Sequence, residues 1–115
     1  MSYTHEFGVL DLQHRQLSYD TYTPERFDCV SVDGELVDSL IDELRNMRTY
    51  SHSYDRPGFG LEECGVTLIP HESLTLFYQV VKQAMYTHES DELHRLISKI
   101  AQAQVKQKDM IHFGL

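Results

Sequence analysis

Glycines, prolines and two adjacent acids crowd into the stretch RPGFGLEECGVTLIP, residues 56–70. Glycine-rich loops hold phosphates when a strand precedes the first glycine and a helix begins at the last, because the helix N-terminus then meets the anion. Here Gly58, Gly60 and Gly65 lead into an apolar strand instead. The two glutamates between them would also repel a phosphate. The stretch therefore does not predict a nucleotide site.

Histidine is the next residue type that could do chemistry. No two histidines stand four residues apart on one predicted helix, and no Cys-x-x-Cys motif accompanies them, so local zinc spacing is absent. A metal site assembled from distant residues, such as Cys29, Cys64 and His71, stays open as an alternative. The seven histidines lie at positions 5, 14, 52, 71, 88, 94 and 112.

A histidine-dependent hydrolase or nuclease is the enzymatic alternative. It would pair His5 or His112 with His52 as acid and base, and Arg56 would hold a phosphate. The acidic charge of the chain opposes this hypothesis, since it would repel a phosphodiester substrate.

The segment TYSHSYDRPGFG, residues 49–60, has the composition of a protein-recognition surface. Tyrosine and arginine dominate binding hot spots because they combine large contact areas with polar groups. Tyr50, Tyr54, Asp55 and Arg56 are therefore candidate partner-binding residues. The alternative is a tyrosine-rich loop that packs on its own domain.

The elements that position these residues can be predicted from hydrophobic patterns. Strands are expected at 5–10, 27–32 and 65–69 and in the apolar tail DMIHFGL, where β-rich apolar runs end at turn residues. Residues 49–64 show no sustained period and are expected to be irregular.

Three helices are expected at 35–47, about 72–86 and roughly 90–107, because apolar residues recur there at helical spacing. Asp33 is a natural N-cap for the first helix, and Thr87 or Ser90 for the third. The resulting order is β-β-α-β-α-α-β. It predicts a single α+β (mixed α/β) domain over residues 1–115, with about four strands packed against three helices.

The charge of the chain is one-sided. Residues 1–65 contain 5 Arg, no Lys and 13 acids, whereas residues 66–115 contain 5 basic and 5 acidic residues. Glu35, Asp38 and Asp42 share the polar face of the first helix and form an acidic stripe. Such a field disfavours direct binding to nucleic acid and attracts a basic protein partner.

The compartment is expected to be the cytoplasm. The chain begins without a basic segment followed by an apolar run, and no stretch approaches the roughly 20 apolar residues that cross a bilayer. Cys29 and Cys64 are therefore expected to be buried thiols rather than a disulfide.

Several segments together resemble a family of small bacterial immunity proteins. They are THEFGVLD near the start, FDCVSVDGE before the first helix, YDRPGFGLEECGVTLIP followed by ESL, and the terminal IHFGL. The resemblance runs nearly from end to end. The proteins it points to accompany polymorphic toxins, including those of contact-dependent growth inhibition systems.

The resemblance implies a protein that neutralises the toxin domain of a cognate effector, often a nuclease that acts on RNA, tRNA or DNA. It implies no catalytic residue, metal or cofactor, since immunity proteins act by occlusion. A general adaptor with another protein partner is the third alternative. The predicted partner-binding residues are Glu35, Asp38, Asp42, Tyr50, Tyr54, Asp55, Arg56, Glu62 and Glu63.

Overall fold

The computed structural model describes residues 4–10, 27–62 and 65–114. In this part of the chain, three helices accompany an antiparallel sheet of six strands. The elements are β1 (Thr4–Val9), β2 (Val30–Asp33), α1 (Gly34–Leu44), β3 (Arg48–Ser51), β4 (Pro57–Phe59), β5 (Gly65–Ile69), a 3-10 turn (His71–Ser73), α2 (Leu74–Ala84), α3 (Asp91–Lys106) and β6 (Met110–Gly114).

The last strand of the chain lies inside the sheet. The strand order is β2-β1-β6-β5-β3-β4, so β6 pairs with β1 on one side and with β5 on the other. The strand expected in the apolar tail is therefore present as β6. It lies between β1 and β5, which correspond to the strands expected at 5–10 and 65–69. Its position explains why all five of its residues are buried.

The prediction of an α+β fold is confirmed, but the prediction of about four strands is wrong. The segment expected to be irregular contains a hairpin, in which Thr49 faces Gly58 and Tyr50 faces Pro57. Its strands of four and three residues are too short to show a period, and β4 begins with a proline. Proline is tolerated there because β4 is an edge strand, and neighbouring β5 supplies the partners that β3 needs.

The helices begin where their capping residues stand. Asp33 accepts a hydrogen bond from the backbone N–H of Glu35 at 3.1 Å, and the Ser90 hydroxyl accepts from that of Leu93 at 3.4 Å. Such caps satisfy N–H groups that have no partner within the helix. The predicted caps for the first and third helices are confirmed. The second begins later than expected, at Leu74, because a 3-10 turn occupies the preceding residues.

The sheet has one face toward the helices and an opposite face with its own apolar cluster. Successive strand residues point to opposite faces. Met110 belongs to the core shared with the helices, whereas Ile111 and Phe113 belong to the second cluster. We call these the helix face and the far face. Among the described residues, Phe27, Cys29, Tyr50 and Tyr54 pack onto the far face.

Gly8 allows a close approach on the far face. A Cβ atom at this position would lie 2.8 Å from the Cys29 Sγ and 2.8 Å from the Phe27 carbonyl oxygen. The segment before β2 therefore crosses directly over β1, which requires glycine at this position of the strand.

No helix within residues 4–10, 27–62 and 65–114 combines the length and the apolar character needed to cross a membrane.

Candidate functional site

The acidic stripe predicted on the first helix is exposed. Val37, Leu40 and Leu44 turn into the core, which leaves Glu35, Asp38 and Asp42 on the outer side of α1. Asp42 forms an ion pair with Arg45 at 2.6 Å, and both side chains are largely in solvent. A pair this exposed contributes little to stability. The carboxylates are therefore accessible to a partner.

Tyr50 and Tyr54 lie on the far face, away from α1. Their rings contact each other with centroids 5.2 Å apart, and both pack against the second apolar cluster. The Tyr54 hydroxyl donates a 2.6 Å hydrogen bond to Asp109, just before β6. This contact fixes the β3–β4 hairpin to the centre of the sheet, so Tyr54 has a structural role whatever else it contacts.

The turn of the hairpin carries the next two predicted residues, and both are exposed. Asp55 accepts a hydrogen bond from the Ser53 hydroxyl. The Arg56 guanidinium lies 3.1 Å from the His52 ring nitrogen. Two of the residues considered for a hydrolase, His52 and Arg56, are thus in contact with each other.

Glu62 lies on the helix face. Its backbone N–H donates to the Thr67 hydroxyl at 2.9 Å, and the preceding residue, Leu61, packs against the helix-side core. Glu63 lies outside the described residues. The predicted partner-binding residues therefore do not form one surface: the acids of α1 and Glu62 lie on the helix side, and the two tyrosines pack on the other side.

A buried polar chain crosses the helix face beneath Glu62. His5 Nδ1 lies 2.7 Å from His112 Nε2, and His112 Nδ1 lies 3.2 Å from the Thr67 hydroxyl. All three residues are at most 1% exposed. Burial, and next the neighbouring His5 ring, hold the pKa of His112 well below its ordinary value. His112 is therefore neutral near pH 7.

One placement of protons satisfies every contact in this chain. The Glu62 N–H donates to Thr67, the Thr67 hydroxyl donates to His112 Nδ1, and His112 Nε2–H donates to His5 Nδ1. In the other tautomer of His112, the Thr67 oxygen would accept hydrogen bonds from both the Glu62 N–H and His112 Nδ1–H. The hydrogen of the Thr67 hydroxyl would then need a different acceptor. The polar chain thus runs in one direction, from the loop into the sheet.

Thr67 also forms part of the floor of a cleft of about 240 Å³. The cleft lies over β3, β4 and β5, with the segment that carries Glu62 along its side. Ser51, Gly58 and Glu62 are among its lining residues. The side chains of Thr67 and Ser51 point to the same face because the two residues pair directly across the strands.

Sequence reasoning missed two residues that organise this region, Thr67 and Asp109. The Asp109 carboxylate accepts from both Tyr54 and the His71 N–H, and its backbone oxygen accepts from Leu10. Thr67 stands in the apolar run GVTLI, and a polar residue in a buried strand was the available signal for it. Nothing local marks Asp109.

Within the described ranges, no three His, Cys, Asp or Glu residues are grouped in a way that could hold a metal ion. Cys64, one member of the distant metal set considered above, lies outside them.

No family model matches this chain, and neither the curated proteins nor the solved structures include one with significant similarity to it.

Proposed function

We propose that this protein is an immunity protein, which binds the toxin domain of a cognate effector and neutralises it without catalysis. The observation that carries the proposal is the exposed acidic stripe of Glu35, Asp38 and Asp42 on α1, in a chain of formal net charge -8. The family resemblance of the sequence supplies the class of partner.

The proposed partner is a basic nuclease domain, an RNase or tRNase in the first instance. A nuclease binds its substrate through a positively charged surface, and carboxylates on an inhibitor can take the place of phosphates. Opposite charges also steer two proteins together and accelerate association. Occlusion of the basic site, or of a surface next to it, then blocks the substrate. The proposed place of action is the cytoplasm.

Co-expression tests this proposal. The protein encoded immediately upstream of this chain is the candidate toxin, and it is expressed alone, with the wild-type chain, and with the variant Asp38→Lys/Asp42→Lys. We expect growth inhibition by the toxin alone, full protection by the wild type with a 1:1 complex on purification, and weaker protection by the variant. A toxin that still kills in the presence of the wild-type chain and does not co-purify with it would contradict the proposal.

The buried polar chain favours a second candidate, a histidine-dependent hydrolase. In nucleophilic catalysis a hydroxyl is activated by a base that a third group orients. Thr67, His112 and His5 are arranged in this order, and the depressed pKa keeps His112 able to accept a proton. A substrate in the cleft would lie next to Thr67, which is one of the lining residues.

Purified protein distinguishes this candidate from the first. Turnover of ester, RNA or phosphodiester substrates by the wild type, and its loss in Thr67→Val, would favour the hydrolase. Thr67→Val keeps the shape of the side chain and removes only the hydroxyl. Equal background rates for both proteins with every substrate would remove this candidate. The adaptor alternative would be favoured if this chain bound a protein that is not a toxin.

A further inference from the structure

The cleft beside Glu62 is lined almost entirely by uncharged residues. Among the described residues that line it, Glu62 is the only charged one. Its side chain is exposed, and the described part of the chain contains no ion-pair or hydrogen-bond partner for this carboxylate. The other polar side chains that line the cleft carry hydroxyls, which a cation can use as acceptors.

The hydroxyls differ in their availability. The Thr49 hydroxyl donates to the Gly60 carbonyl oxygen at 2.8 Å, and Thr67 belongs to the buried chain. Ser51 is half-buried, and within the described residues its hydroxyl takes part in no hydrogen bond. Two residues that line the same cleft, Glu62 and Ser51, therefore carry a carboxylate and a hydroxyl that have no partner among the described residues.

Gly58 keeps this cleft open. A Cβ atom built at Gly58 meets nothing within 4 Å, although the residue lies in a strand and faces Thr49 on the helix face. Its backbone is not in the left-handed region, so the fold does not require glycine there. A larger residue would occupy the cleft rather than collide with the protein.

From these observations we infer that the cleft is a subsite for one basic side chain, a lysine or arginine, of the protein partner. The Glu62 carboxylate forms the ion pair, and the Ser51 hydroxyl accepts a hydrogen bond from the same cationic group. The inference rests on the proposed function, since a partner with a basic surface supplies the side chain. The acids of α1 then guide association, and the cleft fixes the orientation of the complex.

Substitutions at Gly58 and Glu62 test the subsite in the complex with the upstream-encoded toxin domain. We expect Gly58→Leu, which fills the cleft, and Glu62→Gln, which removes the charge, each to raise the Kd by about tenfold or more. Gly58→Ala leaves most of the cleft open and should have a smaller effect. Glu89→Gln removes an exposed acid elsewhere and should change the Kd less than about twofold. Melting curves establish that each variant is folded.

A small probe tests the same site without the toxin. In an NMR titration with N-acetyl-arginine amide, we expect amide shifts at residues 51, 58, 62 and 67, with a Kd on the order of 1–10 mM. The neutral isostere N-acetyl-norleucine amide should give no such shifts, and neither probe should shift them in Gly58→Leu.

The outcomes separate the two proposals. If the toxin binds the wild type, Gly58→Leu and Glu62→Gln with equal affinity, or if the arginine probe shifts none of these amides, the subsite is overturned and the immunity function stands. If the wild-type chain does not bind the toxin, the proposed function fails and the subsite loses the partner on which it depends.

Discussion

His112 is a neutral imidazole held inside the sheet, and its environment makes the stability of the protein depend on pH. It contacts Phe7 with ring centroids 4.8 Å apart and hydrogen-bonds to His5 and Thr67. Both burial and the second histidine oppose a positive charge at this position. A proton is therefore bound more readily in the unfolded chain than in the folded one.

The sign of the pH dependence follows from this difference. Above the ordinary histidine pKa, His112 is neutral in both the folded and the unfolded chain, and its contribution to stability is fully present. Below that value the unfolded chain takes up a proton that the folded chain does not. We expect the free energy of unfolding to fall by up to about 1.4 kcal/mol per pH unit as the pH drops below about 6.5.

Urea unfolding between about pH 5 and pH 7.5 measures this dependence. His112→Gln should flatten the profile, whereas the exposed His88→Gln should leave it unchanged. NMR of the imidazole group of His112 provides a test in the wild type, where no titration is expected near the ordinary histidine pKa. A wild-type His112 that titrates near 6.5 would contradict the assignment.

Asp109 connects three segments through one residue. Its carboxylate accepts hydrogen bonds from the Tyr54 hydroxyl and the His71 N–H, at 2.6 and 2.7 Å. Removal of the acceptor would leave both donors without a partner in partly buried positions. We expect Asp109→Ala to lower the free energy of unfolding by about 2–4 kcal/mol, and Tyr54→Phe by about 1 kcal/mol.

A double-mutant cycle with these two substitutions measures their coupling. The double variant should be no less stable than Asp109→Ala, because both changes remove the same hydrogen bond. Glu89→Ala, at an exposed position, is the control and should have no measurable effect. Fully additive losses would mean that the Tyr54–Asp109 bond contributes nothing.

At the scale of elements, β1 and the segment before β2 can approach each other closely because Gly8 has no side chain. The Phe27 ring packs against Phe113 of β6, with centroids 5.9 Å apart, and this brings the backbone of Phe27 over Gly8. A methyl group at Gly8 would force these elements apart.

Two glycine substitutions isolate this effect. Gly8→Ala should destabilise the protein by about 1–3 kcal/mol, because the added carbon overlaps backbone and sulfur atoms at 2.8 Å. Gly58→Ala, which meets nothing within 4 Å, should change stability by less than about 0.5 kcal/mol. Thermal or urea unfolding gives both values, and equal effects would show that the crowding at Gly8 is relieved at no cost.

For the whole molecule, the two sides of the sheet offer different chemistry. The helix side carries the acids of α1 and Glu62, and the far side carries the tyrosines of the β3–β4 hairpin. One flat partner surface cannot cover both. We therefore expect the charged side to determine the rate of association with the proposed partner, a basic toxin domain.

Charge reversal on α1 tests this division. Asp38→Lys/Asp42→Lys should slow association with the toxin about tenfold at low salt and reduce its salt dependence, because steering is lost. The double variant should stay folded, since both positions are exposed. Stopped-flow or surface-binding kinetics measures the rate, with Glu72→Lys/Glu89→Lys as the control of equal charge. A lower melting temperature with an unchanged association rate would show that these acids are structural.

The sequence alone determined the three helices, because each is a local pattern of apolar residues that repeats every three to four positions, and the first and third begin at a capping side chain. It also determined the acidic charge, which is a sum over residues. Asp33 and Ser90 both cap the helices as their types and positions predict.

Only the tertiary structure decided how the strands are ordered and paired in the sheet. The short strands β3 and β4 have no pattern of their own and exist because β3 pairs with β5 on one side and with β4 on the other. His5 and His112 are 107 residues apart in the chain, and they meet because β6 inserts next to β1. The cleft at Gly58 likewise depends on the order of strands. Contacts between distant residues leave no local pattern, so neither the buried histidine pair nor the cleft could be read from neighbouring residues.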